Sequence, residues 1–181
     1  MSYFSDRFSC TVESGGYMDV QITDRKLDQL FNRIRLKRKE VASIHREFAA
    51  FPEGIEAHFE FYEKIILAED LPLSRSEREY LAILSSEENS CQYCIEHHQE
   101  VFRNYDLQIE EKRISFYKNL VTTLSKEPWK AVVFKKRAFE VGLSSAEYAH
   151  TVMIIGYFNM ANRLVFGLDI QLEENFKKTC Q

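Results

Sequence analysis

Two thiols stand three residues apart in mid-chain, Cys91 and Cys94, and two imidazoles follow at His97 and His98. On a helix advancing about 100° per residue, Cys94 lies about 60° to one side of Cys91. His98 falls between them in projection, one turn beyond Cys94, and His97 falls on the outer side. Thiols and imidazole at i, i+3 and i+7 therefore share one stripe. A thiol in the first turn of a helix sits in a positive potential that favours thiolate and lowers its pKa from ~8.5. His98, four residues after Cys94, can accept or relay its proton. From Cys91 the same ring is ~10 Å away along the axis, at about 1.5 Å per residue. This makes Cys94 the candidate nucleophile and Cys91 the thiol that resolves it into a disulfide.

A histidine acting as base is oriented by a third group. Glu79, twelve residues before Cys91 and across the break at Asn89-Ser90, can point back at the thiols if the two flanking helices fold together. Glu77, Glu87 and Glu88 compete with it; Glu79 is favoured by standing beside the apolar residues at positions 80–84. Zinc is the rival chemistry, with Cys91, Cys94, His98 and Glu79 as four tetrahedral ligands. Structural zinc sites usually draw a second ligand pair from elsewhere, and none is evident, so no metal or cofactor is expected. Tyr93 reads as a packing residue, and His45, His58 and His150 as isolated core or surface histidines. Arg163 reads as the partner of a buried carboxylate, and Cys10 and Cys180 as bystanders.

Composition narrows the class. The chain has 181 residues, 45% hydrophobic and 29% charged, with only 6 Gly and 3 Pro, which suits one well-cored domain. Its net charge of -4 offers no field for a nucleic acid backbone. The basic cluster Arg33, Arg35, Lys37, Arg38 and Lys39 alternates with apolar residues and reads as a solvated helix face. No leader-like apolar run and no membrane-length span is present, so a cytoplasmic location is expected. In that reducing setting a close cysteine pair indicates redox or metal chemistry more than a staple.

The elements that must position these groups are helical. Residues 1–22 form an arm, irregular or a hairpin about Gly15-Gly16. Asp24 caps a long helix running through Phe48 to Pro52, and a second follows with Ile55, Phe59, Tyr62 and Ile66 on one side. Ser74 with Glu77 has capping-box spacing for a third, and a fourth begins at the cysteine pair. Residues 109–124 make a fifth, and Pro128 opens a sixth that Gly142 stops. Ser144 with Glu147 caps a long last helix to Gly167. The expectation is an all-α single-domain bundle of about seven helices spanning residues 23–181.

The stretch from Leu71 to His98 carries Glu79, a run of small and apolar residues, Asn89-Ser-Cys-Gln-Tyr-Cys94 and then His98. It resembles the signature of the alkyl hydroperoxidase D-like (carboxymuconolactone decarboxylase) superfamily. The segment Tyr157-Phe-Asn-Met-Ala-Asn-Arg-Leu looks like the closing helix of its peroxidase-related branch. The resemblance implies an all-helical fold, a homo-oligomer (trimer or hexamer) and reduction of a hydroperoxide by a dithiol–disulfide couple regenerated by a separate dithiol donor. Carried over by position, Cys94 is peroxidatic, Cys91 resolving, and Glu79 with His98 the proton relay. The decarboxylases proper lack the cysteine pair. Tyr93 departs from the pattern, because alkyl hydroperoxidase D proteins usually have His before the second Cys.

Overall fold

The computed structural model describes residues 17–105 and 109–180, with side chains described from residue 25 onward in that range. The Gly15-Gly16 step and Cys10 lie outside the described residues. The expected second half of a hairpin is instead helical, since helix α1 (Tyr17–Arg38) already includes residues 17–22. Asp24 is consequently inside a helix and does not cap it.

The long first helix breaks earlier than its periodicity suggests. Lys39 adopts a left-handed conformation, φ 61°, and its N–H bonds the Arg35 carbonyl at 2.8 Å. Left-handed backbone costs a residue with a Cβ about 1–2 kcal/mol. The turn delivers Val41 and Ala42 to the interior, 1% and 2% exposed, ahead of the short helix α2 (Ser43–Arg46). The basic cluster divides accordingly. Arg33 and Lys37 pair with Glu63 on the surface, but Arg38 is buried, contrary to the solvated-face reading.

Helix α3 (Pro52–Tyr62) begins on Pro52, whose missing N–H is no loss at a first turn. It runs into a π-helical turn, Glu63–Leu67, that carries both Ile65 and Ile66 inward. Helix α4 (Arg75–Glu88) starts with the expected capping box, Glu77 N–H on Ser74 Oγ at 3.3 Å and Ser74 N–H on Glu77 at 3.2 Å. Helix α5 (Gln92–Phe102) and helix α6 (Glu111–Lys126) follow. A 3-10 turn, Pro128–Val133, leads into α7 (Phe134–Glu140), which stops at Gly142 with φ 82°. The second capping box, Ser144 with Glu147, opens α8 (Ser145–Gly167).

These are eight α-helices and no strand among the described residues, an all-α domain as expected. Helix α4 is central, packed on α5, α6 and α8. Leu81, Tyr117, Leu120, Ile154, Ile155 and Phe158 are fully or almost fully buried around it. After α8 the chain returns through a 3-10 turn, Phe176–Thr179, that lies on α5. Among the described residues no helix is long and apolar enough to cross a membrane.

Candidate active site

The turn between α4 and α5 builds the site. Ser90 takes φ 57° and lets the Cys91 N–H reach the Ser86 carbonyl at 2.8 Å, the six-to-one bond of a left-handed helix end. The chain reverses there, and α5 lies back along α4. Cys91 is the N-cap of α5, not a first-turn residue.

Glu79 thereby comes to His98 across the helix pair. It has no exposure, and its two oxygens are divided: Oε1 accepts from Arg75 Nε at 2.7 Å and Oε2 lies 2.6 Å from His98 Nδ1. Burial alone raises its pKa, but His98 and Arg75 outweigh that and hold the carboxyl below its ordinary range. The competing acids are occupied elsewhere. Glu77 belongs to the cap and also meets Arg113 and the Tyr117 hydroxyl, each at 3.0 Å. Glu88 pairs with Lys126, and Glu87 is exposed.

Cys94 presents its thiol and its backbone N–H toward the Cys91 sulfur. The thiol bond to Cys94 is the largest cause bringing Cys91 down to about 7, against burial, with Asn162 assisting. Cys94 is pushed well up, first by that same bond to Cys91 and then by burial. The acid group of the resting pair is therefore Cys91, whereas position along the helix alone favours Cys94 as nucleophile. Cys94 and His98 both line an internal cavity of about 40 Å³. Cys91 backs instead onto a wider surface hollow of about 400 Å³ bounded by Gln92, Phe166 and Leu172.

Asn162 was not singled out from the sequence. It has no exposure; its amide donates to Ser86 Oγ at 3.2 Å, Asn89 Nδ2 holds its oxygen at 3.0 Å, and its presence favours the thiolate form of both cysteines. Two asparagines, Asn159 and Asn162, three residues apart in the mostly apolar second half of α8 are the available signal.

The C-terminal segment adds more that sequence spacing does not reveal. Glu173 accepts from the Tyr93 hydroxyl at 3.1 Å and from the Ser43 N–H, and lies 3.0 Å from His97 Nε2. Burial opposes its ionisation, yet the His97 and Ser43 bonds bring it to about 2. His97 is not an outward residue: its Nδ1 meets Thr179 Oγ1 at 3.1 Å and Cys180 Sγ at 3.4 Å. Cys180 thus stands behind His97, which itself lines the cavity. Tyr93 packs its ring on His97 at 4.5 Å, and burial with Glu173 raises its pKa. Arg163 is exposed and bonds Asn159, so it holds no buried carboxylate. His150 is a satisfied core residue, 2.7 Å from the Ile65 carbonyl.

The zinc arrangement does not form. Both Glu79 oxygens are spent, and among the described residues no three His, Cys, Asp or Glu side chains are set to hold a metal ion.

Two solved structures share the fold. The alkylhydroperoxidase AhpD core of an uncharacterized peroxidase-related protein from Ralstonia eutropha JMP134 superposes with a TM-score of 0.71 at 17% identity, over 84% of this chain and 87% of that one. An uncharacterized peroxidase-related protein from Silicibacter sp. TM1040 gives 0.72 at 17% identity, over 87% and 90%. The alkyl hydroperoxidase D-like fold that the sequence resemblance implied is therefore the fold observed. None of the curated proteins matches significantly. The family described as PA26 p53-induced protein (sestrin) matches residues 9–181, nearly the whole chain.

Proposed function

The chain belongs to the PA26 p53-induced protein (sestrin) family, and we propose that it is a thiol-dependent oxidoreductase that reduces hydroperoxides through Cys91 and Cys94. The observation that carries this reading is the cavity on which Cys94 and His98 meet, with Glu79 fixed behind His98 at 2.6 Å. A nucleophile, a proton-handling imidazole and its orienting acid stand in the order that thiol catalysis requires.

In this reading the Cys91 thiolate takes the Cys94 proton through their shared hydrogen bond, which leaves a thiolate facing the cavity. Cys94 sulfur attacks the nearer peroxide oxygen, the O–O bond breaks, and the departing alkoxide is protonated through His98. The Cys94 sulfenic acid then meets Cys91, a disulfide forms, and water leaves. Two thiols and one hydroperoxide become one disulfide, one alcohol and one water. A separate dithiol returns both electrons, its point of entry the hollow behind Cys91. The homo-oligomer, trimer or hexamer, and the cytoplasmic location belong to the same proposal, as does the N-terminal arm at residues 1–22, whose residues 17–22 are the first turns of α1.

Mass spectrometry after stoichiometric peroxide tests the roles. Cys91→Ser should trap a sulfenic acid on Cys94, and Cys94→Ser should consume no peroxide. Peroxide consumption by Cys94→Ser at the parental rate ends the assignment of Cys94, and a sulfenic acid trapped on Cys91 in that variant reverses the two roles.

The burial of both sulfurs, 0% and 4% exposed, favours a second reading in which the pair is a redox sensor without turnover. Rapid single oxidation with no steady-state consumption, across a panel of dithiol donors, would select it.

A further inference from the structure

The cavity beside Cys94 has an unusual lining. His45 has neither ring nitrogen hydrogen-bonded, His58 has Nδ1 free and Tyr62 has its hydroxyl free, among the described residues, and all three side chains are buried on this one wall. A buried polar atom left without a partner costs about 1–3 kcal/mol, and native interiors hold few of them. Here four such atoms surround one space.

Arg38 joins them. It is buried, its Nε and Nη2 both donate to the Thr179 carbonyl at 3.0 and 2.7 Å, and it makes no ion pair with a carboxylate among the described residues. Its guanidinium lies 5.0 Å from the Tyr62 ring centroid. A buried cation without an anion is costly unless something supplies negative charge or strong acceptors.

The lining selects its occupant by chemistry and size. The guanidinium repels a cation. Burial lowers the pKa of His45 and His58, so both rings are neutral: His45 presents one donor and one acceptor, and His58, whose Nε2 is taken by the Tyr157 hydroxyl at 3.0 Å, presents Nδ1 alone. The phenol offers both as well. The complement is a small neutral molecule that donates and accepts within two atoms, with an oxygen able to take developing negative charge. About 40 Å³ is room for roughly three water-sized positions, at ~10–15 Å³ each.

We propose that Arg38, His45, His58 and Tyr62 form the binding subsite for the O–OH group of hydrogen peroxide and of the shortest alkyl hydroperoxides, and that the cavity excludes aryl and lipid hydroperoxides. This rests on the peroxidase reading above. The guanidinium meets charge that builds on the leaving oxygen as Cys94 attacks, the preorganised stabilisation that a dry site makes effective.

The test compares rates of thiol oxidation by hydrogen peroxide, ethyl hydroperoxide and cumene hydroperoxide in the parent, Tyr62→Phe and His45→Phe. The parent should discriminate against cumene hydroperoxide by 100-fold or more, a figure on the order of a steric clash in a closed site. Tyr62→Phe deletes only an unsatisfied hydroxyl, so it should unfold no more readily and react with iodoacetamide at the parental rate. Its oxidation by hydrogen peroxide should nevertheless fall about 10-fold, the worth of one hydrogen bond in the transition state. His45→Phe, which also narrows the space, should lose ethyl hydroperoxide before hydrogen peroxide. Equal rates for all three peroxides, with Tyr62→Phe unaffected, would overturn the subsite and leave a cavity that holds ordered water only, with the peroxidase reading intact. No oxidation of the parent thiols by any of them would overturn the peroxidase reading itself, and this subsite with it.

Discussion

Glu79 and His98, nineteen residues apart, meet at 2.6 Å across the α4–α5 turn, both almost fully removed from water. A carboxylate so placed cannot stand alone, and Arg75 and His98 together keep it ionised. Glu79→Gln keeps the shape but removes the charge that both partners face. We expect a loss of about 3 kcal/mol in chemical unfolding, the lower end for a broken buried pair because Arg75 retains some water. Thiol oxidation by peroxide, followed by stopped flow, should slow at least ~10-fold as His98 loses its orienting partner.

The depressed Cys91 pKa sets a second expectation. Iodoacetamide alkylation of Cys91 should follow a titration centred at about 7. In Cys94→Ala the thiol donor is gone and the midpoint should move up. The folded pKa is depressed, so this group's stabilisation is complete above its unfolded pKa of ~8.5 and is lost as pH falls through 7. Denaturation series at pH 7 and pH 8.5 should show the parent gaining stability over that interval, and Cys91→Ala gaining less.

The polar network under the thiols makes a third. Asn162→Leu fits an apolar helix yet removes the amide that serves both sulfurs, Ser86 and Asn89. Loss of about 2 kcal/mol in stability is expected, since Asn89 and Ser86 are left with fewer partners. The alkylation midpoint of Cys91 should also rise, which a purely structural role would not produce.

Helix faces and caps were legible in the sequence because they depend on neighbours three or four residues away. Both capping boxes formed as spaced, and Glu79 reached His98 because the Asn89-Ser90 break lies between them. The break at Lys39 was not legible: no glycine or proline marks it, and it exists because Val41 and Ala42 are wanted in the core. Asn162, Glu173, Thr179 and Cys180 reach the thiol helix from 68 or more residues away in sequence, through tertiary packing that no local pattern encodes. Arg38 was read as one of a solvated cluster for the same reason; its burial is decided by the returning C-terminal segment.

Three buried histidines predict acid sensitivity. Burial lowers the pKa of His45, of His97, and of His58 to about 4. The charged groups facing them include Arg38, which disfavours protonation, and Glu173, which favours it on His45 and His97 without reversing the direction. The unfolded chain takes up these protons near pH 6.5, and the folded chain resists. Stability is therefore present above that pH and falls as pH drops, by up to ~1.4 kcal/mol per pH unit for each imidazole. Urea midpoints measured between pH 7 and pH 5 should decline steeply. His58→Phe should flatten the slope, and a pH-independent midpoint would contradict the neutral-ring lining of the cavity.

The returning segment holds two cavity walls in place, His97 through Glu173 and Thr179, and Arg38 through the Thr179 carbonyl. Glu173 is the anion at its centre, serving His97, Tyr93 and the Ser43 N–H together. Glu173→Ala strands all three donors or rings at once. Loss of about 2–3 kcal/mol in global stability is expected from those unpaired groups. The segment itself should loosen first, because the main apolar core around α4 contains none of its residues. Native-state alkylation of Cys180, slow in the parent because the thiol is 4% exposed and burial raises its pKa, should accelerate by well over the change seen at Cys91. Equal acceleration at both thiols would mean that the whole helix pair had loosened, and that Glu173 supports the fold and not a latch on the cavity.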